Sequence, residues 1–200
     1  MPRLRVIGVD LAGAERRPTG MCVLTGLRAE TSLAFTDDEV LKTTEDSRPR
    51  VVAVDAPLSL PAGRESIEQR TSVHLRECDK ELLRRRIRFF PVTLGPMRRL
   101  TERGMSLKRI LEKKRFTVIE VYPGGAQDVL GIPRKQRGLE GLKAGLEKLG
   151  VTGLNRQMSD HELDAVTCAL VGRLFLEGKS VVYGTPAQAI VMPRGEFGGN

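Results

Sequence analysis

Four acids and one histidine are placed where they could do chemistry together. The stretch HELDAVTCALV, residues 161–171, puts Asp164 inside what otherwise reads as a buried helix. A carboxylate in apolar surroundings is costly unless it is paired, hydrogen-bonded or bound to a cation. His161, Asp164, Cys168 and Val171 step by 3, 4 and 3, so they share one helical face. Three short apolar runs also carry acids: LRVIGVD ends on Asp10, VVAVD ends on Asp55, and FTVIEVY holds Glu120. Ligands of α/β sheets gather at the carboxyl ends of strands, and a helix packed across the sheet would bring His161 and Asp164 to that place. Converging carboxylates repel one another and rise in pKa unless a divalent cation compensates. Mg²⁺ and Mn²⁺ prefer oxygen ligands, and a pair of such ions can clamp both the attacking and leaving oxygens of a phosphodiester displacement. Plainer roles exist for each residue. Asp10 and Asp55 could be turn formers, Glu120 an outward residue of an edge strand, and His161 a structural surface histidine. Asp164 is the hardest to explain so, although His161 or an arginine could be its partner.

The chain of 200 residues has a formal net charge of +8, and the position of that charge is informative. Residues 64–115 hold 16 Lys and Arg against 7 Asp and Glu, a net of +9 that leaves the remainder at −1. A concentrated basic patch is the footprint of a polyanion partner, because each neutralised phosphate releases condensed counterion. Arg84, Arg85, Arg86, Arg88, Arg98, Arg99, Lys108 and Arg109 are the candidates for gripping a nucleic-acid backbone. A solvated helix face is the bland alternative. Aromatics make up only 4% of the sequence, so base stacking gives little guidance on substrate.

The elements that must position these residues follow from periodicity. LRVIGVD leads through Gly13, Pro18 and Gly20 into MCVLTGL, an antiparallel partner, and SLAFT at residues 32–36 could complete a meander. TDDEVLKTTEDS reads as a short helix with acids at its positive end. The basic segment reads as two helices separated by FFPVTLGP. Leu75, Cys78, Leu82 and Ile87 repeat in the first, and Met97, Leu100, Leu107 and Leu111 in the second, with Gly104 a candidate break. GAQDVL is a short helix closed by Gly131, and residues 139–149 are an amphipathic helix. SDHE fits a capping box, with Ser159 as N-cap and Glu162 three residues on. That helix ends at Gly178, two terminal strands follow in SVVYG and AIVMP, and GEFGGN reads as a frayed end. The fold class is α/β: a mixed sheet of an antiparallel three-strand meander plus parallel strands, flanked by helices. One domain over residues 1–200 is expected, with 64–115 as a basic helical insertion. Cys22, Cys78 and Cys168 form no CxxC pair, so reduced, buried thiols are expected. No signal peptide or run of ~20 apolar residues is present, which suggests a cytoplasmic protein without a membrane partner.

GVDLAG, AVDAPLSLP, RECDKELLRRRI, VIEVYPGGAQDVLG and HELDAVTCAL, in this order and over nearly the whole chain, resemble the family domain of unknown function 429. Its members are predicted nucleases of the ribonuclease H fold. The layout is also similar to the RuvC resolvases and their YqgF relatives. These carry an aspartate at the end of the first strand and an acid on the fourth. Their C-terminal helix has an acid or histidine, then aspartate and alanine three residues later. The resemblance implies Asp10, Asp55, His161 and Asp164 as the catalytic, metal-binding set. Asp55 stands where RuvC has glutamate, and Glu120 lies in a strand similar to a non-catalytic one, so it ranks second.

The leading expectation is a Mg²⁺- or Mn²⁺-dependent nuclease. Asp10 and Asp164 would bind the ions and Asp55 complete their shell. His161 would be a ligand or handle a proton at the leaving group. A non-catalytic nucleic-acid-binding protein of the same fold is the second. A nucleotide-dependent phosphotransferase is the third, suggested by DLAGAERRPTG, but such proteins need two similar domains and the chain has no internal repeat. The apolar faces of the basic helices could pair two subunits.

Overall fold

Short continuous apolar runs, rich in Val and buried on both faces, set up the centre of the sheet. A computed structural model describes residues 4–195. Arg5–Asp10 (β1), Thr19–Thr25 (β2) and Arg28–Ala34 (β3) form an antiparallel meander, followed by helix Asp37–Ser47 (α1) and strand Val51–Asp55 (β4). The chain continues through Glu77–Arg84 (α2), Gly95–Lys113 (α3), Val118–Glu120 (β5) and Pro123–Val129 (α4). A 3₁₀ turn at Lys135–Arg137 precedes Leu139–Lys148 (α5), Asp160–Leu176 (α6), and the hairpin Ser180–Thr185 (β6) and Gln188–Pro193 (β7). The sheet order is β3-β2-β1-β4-β5, with β4 parallel to both β1 and β5. The antiparallel meander joined to parallel strands, flanked by helices, is the mixed α/β sheet expected from the sequence.

Strand alternation divides the core. On one face Val6, Val51 and Ala53 pack with the buried side of α6 and with Leu142 and Leu146 of α5. On the other, Ile7, Val9, Val52 and Val54 pack with Val40 of α1 and Leu107 and Leu111 of α3. A third cluster, including Cys78, Leu82, Tyr183 and Met192, joins α2 to the terminal hairpin.

Several boundaries differ from the periodicity reading. β3 begins at Arg28, because backbone pairing to β2 carries it through polar residues, while Phe35 of SLAFT lies outside it. Helix α2 leaves out Leu75 and Ile87, and Arg86 behind it adopts a left-handed φ of 59°. Gly104 does not break α3. It is a close-approach residue, since a Cβ there would lie 2.9 Å from both Ala56 Cβ and the Pro57 carbonyl oxygen. The last two strands pair with each other, and a single bridge from Val121 to Val191 links them to the β5 region. Of GEFGGN, residues 196–200 lie outside the described residues. The three cysteines are free and buried. Among the described residues no helix is long and apolar enough to cross a membrane.

Candidate active site

Asp10 and Asp55 are register partners at the carboxyl ends of the parallel strands β1 and β4, where strands run about 4.8 Å apart. Alternation from Val6 and Gly8, and from Val51 and Ala53, turns both acids to the face that α6 covers. Two glycines let α6 approach. A Cβ on Gly8 would lie 2.0 Å from the Ala165 carbonyl oxygen, and one on Gly20 would lie 2.1 Å from that of His161. Backbone therefore rests on backbone, and the first turns of α6 come down beside Asp10. The expected capping box fixes where that helix starts: the Ser159 side chain accepts from the Glu162 N–H, and the Glu162 carboxylate accepts from the Ser159 N–H. Glu162 also accepts from the Thr31 hydroxyl at 2.7 Å, tying the cap to β3.

Within this frame His161 Nδ1 lies 2.7 Å from Asp10 Oδ2. Asp164 is engaged on both oxygens, with Gln127 Nε2 donating to Oδ1 at 2.8 Å and Lys135 Nζ standing 2.9 Å from Oδ2. The same ammonium is 3.0 Å from Asp160 Oδ2. Burial, followed by the charges of Asp10 and Asp164, pushes the Asp55 carboxyl well above the usual aspartate range, and Asp10 is within hydrogen-bonding reach of it. Burial likewise raises Asp164, against the opposing pull of Lys135. The hydrogen bond to Asp10 raises His161 above an ordinary histidine. Burial pulls the Lys135 ammonium down, but Asp164 and Asp160 more than restore it. The site thus gathers excess negative charge in a dry setting, offset by one lysine.

The donor chemistry fits a hard divalent cation, since carboxylate oxygens with one imidazole suit Mg²⁺ or Mn²⁺. Asp10 and Asp55 are the pair that a cation would relieve most, being register partners with Asp10 buried and the charge of Asp10 raising the Asp55 carboxyl. Among the described residues no group of three His, Cys, Asp or Glu side chains is arranged as metal ligands. Asp164 faces Lys135 instead, and that ammonium supplies one positive charge where a metal could supply two.

Glu120 is not brought into this cluster. It is buried and receives Arg76 Nη1 at 2.7 Å and Nη2 at 2.8 Å, while the Leu58 N–H donates to its Oε2 at 2.7 Å. Arg76 is also bound by Asp79. Glu120, expected as a secondary catalytic acid, is engaged on both oxygens by Arg76 and the Leu58 N–H, which ties the end of β5 to the loop after Asp55.

The basic segment is less free than its sequence suggests. Arg64 binds the carbonyls of Val73 and Thr71, and Arg103 holds Asp37 and the Ala12 carbonyl. Of the candidate phosphate contacts, Arg84 and Arg85 pair with Glu81, Arg98 with Glu68, and Lys108 with Glu112. Arg85 also stacks over Tyr183 at 4.5 Å. Lys108 and Arg109 line a groove shared with Glu65, Glu102 and Glu112. Arg99 is better placed. With Arg16 and Arg17 it lines a cavity of about 380 Å³ at the start of α3, and no acid contributes to that lining.

Sequence reasoning missed Lys135, Gln127, Arg76 and the Arg16–Arg17 pair. Arg16 and Arg17 alone left a visible signal, as adjacent cations in the turn just after Asp10. A scan of family profiles matches residues 8–188 to one described as "Protein of unknown function (DUF429)". Among solved structures the chain is similar to one titled "Thermus thermophilus RuvC structure", at 14% identity and a TM-score of 0.49, over 94% of this chain and 100% of that one. No curated protein matches.

Proposed function

We infer that this chain, which belongs to the DUF429 family, is a Mg²⁺- or Mn²⁺-dependent nuclease that hydrolyses phosphodiester bonds. The observation that carries the reading is the junction of buried Asp10 and Asp164 with half-buried Asp55 and His161. Asp10 and Asp55 would hold the cation, joined by Asp164 as Lys135 yields and by His161 if its ring turns. When bound, the cation supplies Lewis-acid polarisation of a phosphoryl oxygen and a more acidic water. Asp10 orients the His161 ring through Nδ1, from where the imidazole would hand a proton to the leaving oxygen. Gln127 fixes the Asp164 carboxylate, while the Arg76–Glu120 pair holds the loop behind Asp55. Arg16, Arg17 and Arg99, with Arg86, Arg88 and Arg109, supply phosphate contacts.

The test is hydrolysis of branched, single-stranded and hybrid substrates by wild type, Asp10→Asn and Asp164→Asn. Metal-dependent cleavage is expected in wild type and is expected to fall by about 10²-fold or more in each variant. Equal cleavage by all three would identify a contaminant and end the reading. A second reading, a nucleic-acid binder without catalysis, is favoured by one observation: Lys135 pairs with Asp164 at 2.9 Å and would have to be displaced before that carboxylate could serve a cation. Binding that weakens steeply with salt, roughly a thousandfold from 50 to 200 mM for six phosphate contacts, with no hydrolysis, would select it.

A further inference from the structure

A cavity of about 200 Å³ opens beside Asp55, whose residue forms part of its wall. It has no role in the chemistry described above. The chain contains six Phe, two Tyr and no Trp, yet Phe89, Phe90 and Tyr122 all line this one cavity. Phe90 is 69% exposed, so in the isolated chain its ring gains little from burial. Tyr122 is held in place: its hydroxyl donates to the Arg88 carbonyl at 2.7 Å and accepts from Arg134 Nη1 at 3.1 Å. Arg76 also lines the cavity, but its guanidinium is saturated. Its Nε binds Asp79, its Nη1 binds Ser59 and Glu120, and its Nη2 binds Asp79 and Glu120. All five N–H groups are thereby engaged. The cavity offers aromatic and apolar surface, no free guanidinium donor, and an opening next to the acids proposed to act on a phosphate.

We propose that this cavity receives one unstacked nucleobase of the nucleic-acid substrate, stacked on Phe90, beside the phosphate addressed by Asp10 and Asp55. The proposal rests on nucleic acid being the substrate class. The occupant must be flat and largely apolar, and its attached group must be anionic, because Asp55, one of the acids proposed to act on a phosphate, forms part of the same wall. A nucleobase on its sugar-phosphate meets all three conditions. With the Arg76 donors already used, the base is held by stacking and shape, so base identity matters little.

The experiment measures binding of single-stranded oligonucleotides in EDTA, where hydrolysis does not intervene, with one abasic site moved along the strand. Phe90→Ala is expected to weaken binding about 5- to 150-fold, the range for loss of one stacked base. Phe90→Tyr should retain affinity, whereas Phe90→Leu, apolar but without a ring, should lose nearly as much as alanine. One abasic position should lose a similar factor, and at that position Phe90→Ala should cost nothing further. Because Phe90 is exposed, all three variants should melt with the wild type. Oligonucleotide binding that is unchanged by Phe90→Ala, or losses from the variant and the abasic site that simply multiply, would overturn the base pocket while leaving the nuclease reading intact. Absence of any oligonucleotide binding by wild type would end both.

Discussion

Replacing Lys135 with methionine keeps the aliphatic arm and removes the ammonium that stands between Asp164 and Asp160 at 2.9 and 3.0 Å. Removing one partner of a fully buried ion pair costs about 3–5 kcal/mol. The Lys135 side chain is 29% exposed and that of Asp160 is 40% exposed. The Asp160 arm therefore contributes at most about 1 kcal/mol, and solvent screening reduces the Asp164 arm. Protonation of Asp164 caps the loss further, since Gln127 alone would remain to hold it. The expected cost is about 1–3 kcal/mol, read by urea unfolding in EDTA at neutral pH. Mn²⁺ should then stabilise the variant more than the wild type, because the metal no longer competes with the lysine for Asp164. Each tenfold gain in affinity adds about 1.4 kcal/mol once the ion is in excess. A Lys135→Met protein with wild-type stability and a wild-type response to Mn²⁺ would refute this account of the charge balance.

Gly8→Ala and Gly20→Ala should each cost about 3 kcal/mol or more, or prevent folding, because the new methyl groups would overlap backbone atoms of α6; thermal unfolding reads the effect. Glu120→Gln should lose about 1–3 kcal/mol of stability, because Arg76 loses one of its two charged partners and keeps Asp79, whereas Asp10→Asn should lose cleavage with less effect on folding, a contrast checked by melting and activity together. The raised pKa values of Asp55 and Asp164 mean that the folded chain binds protons the unfolded chain has released. Their contribution is present at acid pH and declines as pH climbs from the ordinary aspartate value of 3.8 through the raised ones. His161 acts in the same sense from 6.5 upward. Metal-free wild type should therefore lose stability relative to Asp55→Asn as pH rises, while stabilisation by Mn²⁺ grows; parallel pH curves for the two proteins would contradict the assignment.

Asp164 was legible because a carboxylate at a helical step from His161 and Cys168 conflicts with its apolar face, and the Ser159 capping box set the phase of that helix. Asp10 and Asp55 were legible as acids at strand ends, and the meander followed from short apolar runs broken by glycine. What the sequence concealed is long-range. The Glu120–Arg76 pair spans 44 residues, and nothing local distinguishes an anchored glutamate from a catalytic one. Lys135 sits in a 3₁₀ turn with no periodicity, so only the folded chain shows that it reaches Asp164. Gly8 and Gly20 carry no chemistry of their own, yet they let α6 lie close enough for His161 to meet Asp10. The charge of residues 64–115 overstated the free basic surface, because Arg64, Arg76, Arg98 and Arg103 are spent on internal carbonyls and carboxylates.

The central claim is that a divalent cation belongs at the acidic junction. Anomalous diffraction from crystals soaked in Mn²⁺ tests it most directly. The account predicts a peak within ligand distance, about 2.0–2.2 Å for a small divalent ion, of Asp10 and Asp55, with Asp164 turned from Lys135 toward the ion. A well-ordered site at saturating Mn²⁺ with no anomalous peak, and Asp164 still held by Lys135, would contradict it.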